Sequence, residues 1–308
     1  MPSIFAFLVA AIEKEEPVAL ALISGIKGSS PQKQGAKAIF FADGRMEGTL
    51  GGGCLEAEVR ERARLALQTH KPATFELVLD HDFGWEDGLI CGGKVSGIIL
   101  PNVGSGETLW RQLDARSQPL SWGISADFSI AQVTDQSSSR WLYQETVAPR
   151  LPLWIAGSGH VAQAVAPLAQ KLDFAVTVFD DRPALANHHY FPTETILRVD
   201  RWDTLLQDEH PASASFGLVL TRGHQHDAMV LRNWVHRPFS FLGMIGSRRK
   251  KRLIFSRFME EKIATEEELG RVFCPVGLDI QSVSVPEIAV SIVAQLIQKR
   301  AALCRNSR

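Results

Sequence analysis

Three glycines run into a cysteine, and the cysteine opens a helical pattern, in GTLGGGCLEAEVRERARLAL, residues 48–67. Leu55, Val59, Ala63 and Ala66/Leu67 recur at helical spacing with charges between them. Glu56 and Glu58 are expected in the first turn, which places Cys54 at or near the N-cap. Unpaired backbone N–H groups at such a position favour an anion and lower a thiol pKa, and the two acids work against that. Gly51, Gly52 and Gly53 let the backbone close on a ligand. The competing reading is a plain turn followed by a small buried thiol. A second thiol, Cys91, sits in another glycine-rich loop, DHDFGWEDGLICGG. The separation of Cys54 and Cys91 is too long for a local metal clip, so any joint action on a metal or its sulfur depends on the fold.

The second half carries a different chemistry. Gly157, Gly159 and Ala162 match G-x-G-x-x-G/A, with His160 where the following helix begins. The match follows an expected strand and precedes a second strand that ends in Asp180 and Asp181, the context a dinucleotide fingerprint requires. Asp180 is then placed for a ribose hydroxyl, and Arg182 beside it leaves NAD against NADP open; the alternative is a Rossmann-like scaffold with an empty site. His224, His226 and Asp227 in TRGHQHD follow another strand and are expected at the sheet's carboxyl edge. Their spacing supplies no zinc set. In GMIGSRRKKRLIF, Ser247 opens a helix with Arg248, Arg249 and Lys250 in its first turn. Cations there oppose the helix dipole, which suits either a bound anion or a solvated basic face.

The elements that must position these residues divide near Arg150. Residues 1–150 mix an amphipathic first helix, a buried strand VALALISGI, a hairpin with Asp43-Gly44 at its turn, the helix from Cys54 and strands TFELVL and KVSGIIL, an α+β arrangement. Residues 151–308 alternate strands and helices, which predicts an α/β domain with a Rossmann-like parallel sheet and helices on both faces. The 308-residue length suits two such domains, and 45% apolar with 22% charged residues is an ordinary globular composition. A formal charge of −1 does not suggest a nucleic-acid binder, and no apolar run is long enough for a membrane helix. The first residues lack the basic flank and cleavage site of a signal peptide, and four scattered cysteines fit a reducing, cytoplasmic setting. A homodimer is expected from the apolar terminal helices.

In its motifs the chain resembles the XdhC/CoxI family of molybdenum-cofactor chaperones. The resemblance rests on GSSPQKQGAKAIFFADGRMEGTLGGGCLEAEV, IAGSGHVAQAVAPLA, FDDRP, TRGHQHD, GMIGSRRK and PVGLDIQSVSVPEIAVSIVAQL, which occur in order along most of the chain. Residues 100–150 carry no recognised motif. The resemblance implies a protein that binds molybdopterin, holds the cofactor while a cysteine desulfurase replaces an oxo ligand with sulfur, and delivers it to xanthine dehydrogenase or a related molybdenum hydroxylase without turning over a substrate. It also implies that Cys54 and Cys91 contact the cofactor, a soft-ligand role that suits molybdenum and sulfur. An NAD(P)-dependent oxidoreductase is the competing function. It would use His224 or His226 as a proton donor, and it gives the two thiols no task.

Overall fold

Ser3 starts the first helix: its hydroxyl accepts the Ala6 N–H at 3.1 Å, and α1 (Ile4–Glu13) buries Phe5, Leu8 and Ala11 along one stripe. The computed structural model describes residues 3–30, 32–79, 93–101, 103–134, 141–207, 211–212 and 214–306. The chain divides into two compact units, Met1–Pro149 and Arg150–Arg308.

In the first unit α1 is followed by β1 (Val18–Lys27), β2 (Lys37–Phe41), β3 (Met46–Gly48), α2 (Gly53–Thr69), β4 (Ala73–Leu79) and β5 (Gly93–Leu100). A short 3-10 turn then leads to α3 (Glu107–Ala115), β6 (Leu120–Ser125), β7 (Ile130–Gln132) and β8 (Trp141–Val147). The first five strands form an antiparallel sheet in the order β3-β2-β1-β5-β4, and the last three form a second sheet, β7-β6-β8. The expected hairpin is present, with Phe40 opposite Met46.

β1 reads as an unbroken apolar run because both of its faces are covered. Ala19, Ala21 and Ile23 pack against Leu55, Val59 and Ala63 of α2. Val18, Leu20 and Leu22 face the other way, toward α1, α3 and the ring of Trp122. Each fully buried aliphatic side chain contributes roughly 1.5–3 kcal/mol, so Leu55 and Val59 fix the start of α2 firmly against the sheet. Residues 100–150, without a recognised motif in the sequence, supply α3 and the small sheet, and Trp110 meets Trp122 edge-on at 5.1 Å.

The second unit runs β9 (Leu151–Ala156), α4 (His160–Lys171), β10 (Phe174–Asp180), β11 (Ile196–Val199), α5 (Trp202–Gln207), β12 (Phe216–Val219) and α6 (His224–Trp234). It continues with β13 (Phe241–Met244), α7 (Arg248–Glu260), α8 (Glu266–Gly270), β14 (Val272–Phe273) and α9 (Val285–Asn306). Six parallel strands lie in the order β11-β10-β9-β12-β13-β14. α4 and α9 cover one face; α5, α6 and α7 cover the other. This is the Rossmann-like sheet with two covered faces that the alternation predicted. No helix joins β10 to β11: the segment holding Pro183, Asn187 and Pro192 is a chain of turns, as its helix-breaking residues dictate. The order reverses between β9 and β12, and the loops that leave those strands meet at the switch point where ligands of open parallel sheets bind. Among the described residues no helix is long and apolar enough to cross a membrane.

Candidate functional site

The glycine run takes the conformation its composition allows. Gly51, Gly52 and Gly53 have φ of 118°, 81° and 58°, a region that side chains rarely enter. Gly52 is the N-cap of α2, so Cys54 is the second residue of the helix and half-buried.

Glu56 closes the loop. Its Oε1 accepts the Thr49 hydroxyl at 2.7 Å, the Leu50 N–H at 2.9 Å and the Gly52 N–H at 3.0 Å. The Gly51 N–H goes to Thr49 Oγ1 at 3.1 Å. Burial raises the Glu56 pKa, but these hydrogen bonds outweigh it and hold the carboxyl below its usual value. The carboxylate thus already supplies the negative charge that the N-terminus of α2 favours. Glu58, expected beside it in the first turn, instead pairs with Arg62 further along the helix at 2.9 Å. The sequence signal for Glu56 was its first-turn position; its hold on the loop needed the fold.

Cys91 lies outside the described residues, as does the side chain of Cys304. Cys274 is buried, and burial pushes its thiol pKa up while Lys251 and Lys250 partly oppose the shift. Among the described residues no group of three or more His, Cys, Asp or Glu side chains converges as a metal site.

A second feature of this unit escaped the sequence reading. The Lys37 side chain is 9% exposed, salt-bridged to Glu145 at 2.6 Å and hydrogen-bonded to the Gly35 carbonyl at 2.8 Å. Its ammonium stands 5.7–5.8 Å from the ring centres of Phe5, Trp122 and Tyr143. Burial lowers its pKa against the opposing pull of Glu145. The pair comes from positions more than a hundred residues apart, so no local pattern could announce it.

In the second unit, Gly157 makes the tight turn after β9 with φ 114°. A Cβ there would stand 2.3 Å from the Leu220 carbonyl oxygen, so the glycine is required by the approach of the β12 loop. Gly159 differs: as the N-cap of α4 it has an ordinary φ of −71°, and a Cβ would meet nothing within 4 Å. His160 is exposed in the first turn of α4.

Asp180 corrects the sequence reading. It is 1% exposed, and both of its oxygens are engaged by the chain itself. Ser158 N–H and Arg182 Nη2 donate to Oδ2 at 2.7 and 2.9 Å. Arg182 N–H and Nε donate to Oδ1 at 2.9 and 2.8 Å. Burial pushes this carboxyl up, but the hydrogen bonds of Arg182 and Ser158 hold it below the usual carboxylate value. A ribose diol would have to replace bonds between charged groups, each about 1.5–3 kcal/mol, with weaker ones. The Asp180 carboxylate braces the glycine turn, and the arrangement does not fit a dinucleotide ribose.

The other edge residues also divide. His224 is exposed at the first position of α6. Arg222 donates to Asp181 at 3.0 Å and stands 3.1 Å from His226 Nε2. Asp227 is fully buried, accepts the Thr221 hydroxyl at 2.7 Å and pairs with Lys250. Lys250, expected to face solvent or a bound anion, therefore has an internal one. Ser247 caps α7 by accepting the Lys250 N–H at 3.2 Å, and Arg248 and Arg249 stay exposed in its first turn.

Comparison with protein families gives two matches. Residues 153–296 match a family described as the XdhC Rossmann domain, and residues 11–78 match the XdhC and CoxI family. The chain belongs to the XdhC and CoxI family. Among its relatives is YqeB of Escherichia coli K12, an uncharacterized protein 29% identical over 93% of this chain; the chain spans 44% of YqeB's length. A probable xanthine dehydrogenase subunit of Bacillus subtilis is 26% identical over 97% of this chain and 98% of its own. The molybdenum cofactor insertion chaperone PaoD of E. coli is 23% identical, covering 97% of this chain and 88% of PaoD. A crystal structure described as a xanthine dehydrogenase from Bacillus halodurans shares the fold at 24% identity. Its TM-score is 0.80 over 96% of this chain and 95% of that one. The family match gathers the Cys54 loop and the Gly157 turn, which fall in its two matched segments, into one protein type.

Proposed function

We propose that this protein is an accessory carrier of the molybdenum cofactor that binds its molybdopterin form and inserts it into an apo-enzyme, xanthine dehydrogenase or a related molybdenum hydroxylase. The observation that carries the reading is the half-buried Cys54 thiol, held on a helix start whose loop is shaped by three glycines in positive φ and locked by Glu56. A rigid mount of this kind presents a soft ligand without rearrangement when the cargo arrives. The names of two relatives, the probable xanthine dehydrogenase subunit of B. subtilis and the insertion chaperone PaoD, agree with it.

The bound group would bring the metal and its sulfur ligands, the redox centre of the enzyme that receives it. Cys54, with Cys91 as its expected companion, would hold that soft end. In the second unit, taken by itself, the open face at Gly159 and the helix starts at the carboxyl edge of the parallel sheet offer room for an anion. Holding the cofactor for a cysteine desulfurase belongs to the same reading, as do a cytoplasmic setting and a homodimer. Val290 and Ile297, exposed on α9, are apolar surface that such pairing would cover. The competing oxidoreductase reading loses its main support with Asp180 committed to Arg182. The test is activation of cofactor-free xanthine dehydrogenase by released molybdenum cofactor with and without this protein. A faster or more complete activation supports insertion, and identical activation overturns it.

A further inference from the structure

A groove of about 850 Å³ runs between α6 and α7, and its mouth opens at the carboxyl edge of the parallel sheet. Its volume is in the range of small-molecule and cofactor sites. Its wall is apolar along most of its length: Met229 and Leu253 are 44% and 65% exposed, with Ile254 and Phe258 buried beneath. The polar groups gather at the mouth. Ser247 and Arg249 begin α7 there, and His224 begins α6. Gly223 caps α6 without a side-chain hydrogen bond, so the first amides of that helix are left to solvent or a ligand.

The distribution of charge decides between occupants. Arg232 and Arg257 flank the inner end and share the single Glu261 carboxylate at 3.0 and 2.6 Å, which offsets one of their two charges. Lys250 is committed to buried Asp227. Arg249 at the mouth has no ion-pair partner among the described residues. The one groove-lining arginine without a carboxylate partner among the described residues is thus at the mouth. An acidic helix from a partner protein would call for cations without carboxylate partners along its whole length, and Lys250, Arg232 and Arg257 each already face one. A small ligand with one anionic end and a flat, weakly polar body matches what is present.

We propose that this groove binds a phosphorylated heteroaromatic ligand. Its phosphate lies at the mouth against Arg249, the Ser247 hydroxyl and the first amides of α6. Its ring system lies on Met229, Leu253 and Phe258. The proposal rests on the carrier reading only for which such ligand is used in the cell: the pterin phosphate of the cofactor or a nucleotide joined to it.

The experiment uses the full chain and two variants at exposed positions, Arg249→Gln and Leu253→Glu. The probes are GMP, guanosine and inorganic phosphate, followed by calorimetry, and molybdopterin released from a purified molybdenum enzyme, followed by pterin fluorescence after oxidation. GMP should bind the parent at least about tenfold more tightly than guanosine or phosphate, since each end of the ligand contributes at least one favourable contact. Each variant should lose about tenfold for GMP and for the pterin while melting within about 2 °C of the parent. Variants that bind both probes as the parent does overturn the groove, as does a parent that binds neither. Pterin retained equally by parent and by variants that lose GMP supports a nucleotide in the groove, overturns the pterin as its ligand and leaves the carrier reading standing. GMP bound through the groove by a parent that takes up no pterin supports the groove and overturns the carrier reading.

Discussion

The Glu56 carboxylate accepts the Gly52 N–H at 3.0 Å, so a side chain of α2 fixes the N-cap of its own helix and, with it, the position of Cys54. The same oxygen takes the Leu50 N–H and the Thr49 hydroxyl. The loop is therefore preorganised by its own helix, and the helix is held against β1 by Leu55 and Val59. The thiol is placed by two layers of support that do not depend on a ligand.

Replacing Glu56 by Gln should lower stability by about 1 kcal/mol, the difference between a charged and a neutral acceptor. The pH dependence follows from the direction of the shift. The folded pKa lies below the ordinary 4.5, so the stabilisation is complete above that value and is lost as pH falls through the lower, folded one. The gap in melting temperature between parent and variant is expected to stay constant near neutral pH and to close in acid. Thermal melts across pH 3 to 7, roughly the range over which such a carboxyl titrates, check this; a gap that widens in acid contradicts the role assigned to Glu56.

The two glycines of the dinucleotide-like turn should respond in opposite ways. Gly157→Ala places a Cβ 2.3 Å from the Leu220 carbonyl oxygen at φ 114°, and a loss of about 2 kcal/mol or more is expected. Gly159→Ala meets no atom within 4 Å and should change stability by less than about 0.5 kcal/mol. If a phosphate approaches this turn, the second variant still weakens cofactor retention. Denaturant titration beside a pterin assay separates the two effects, and equal destabilisation by both substitutions would refute the distinction.

Nicotinamide cofactors should not bind tightly. Asp180 has four donors from Ser158 and Arg182 and none of its acceptor capacity is directed to a ribose. Titration with NADH and NADPH, followed by nicotinamide fluorescence, is expected to give no saturation below about 1 mM, a free energy near −4 kcal/mol. A micromolar Kd for either would show that Arg182 releases Asp180 and would restore the oxidoreductase reading.

Much of the fold was legible because its signals are local. The alternation after Arg150 gave the parallel sheet, Asp43-Gly44 gave the hairpin, and Leu55, Val59, Ala63 and Ala66 gave the buried face of α2. The small sheet β7-β6-β8 was not legible; β7 is only three residues long, and the packing that fixes Trp122 and Tyr143 comes partly from Phe5 of α1, far away in sequence. The site divides in the same way. Residue types and the glycine context marked Cys54, Gly157, Gly159 and Ser247. The commitments of Glu56 to its loop, Asp180 to Arg182, Lys250 to Asp227 and Lys37 to Glu145 depend on distances that only the folded chain sets.

The most direct measurement is the cofactor content of Cys54→Ser. Serine keeps the size and a hydrogen-bonding group but removes the soft, ionisable sulfur. The half-buried site has room for the exchange, so the melting temperature is expected to stay within about 2 °C of the parent. Parent, Cys54→Ser and the buried control Cys274→Ser are each incubated with released molybdenum cofactor, desalted, and assayed for pterin fluorescence after oxidation. The account predicts that Cys54→Ser retains less than about a tenth of the parent's pterin, a loss of one contact worth about 1.4 kcal/mol or more, while Cys274→Ser retains as much per folded molecule as the parent. A Cys54→Ser protein that carries as much pterin as the parent would contradict the central claim.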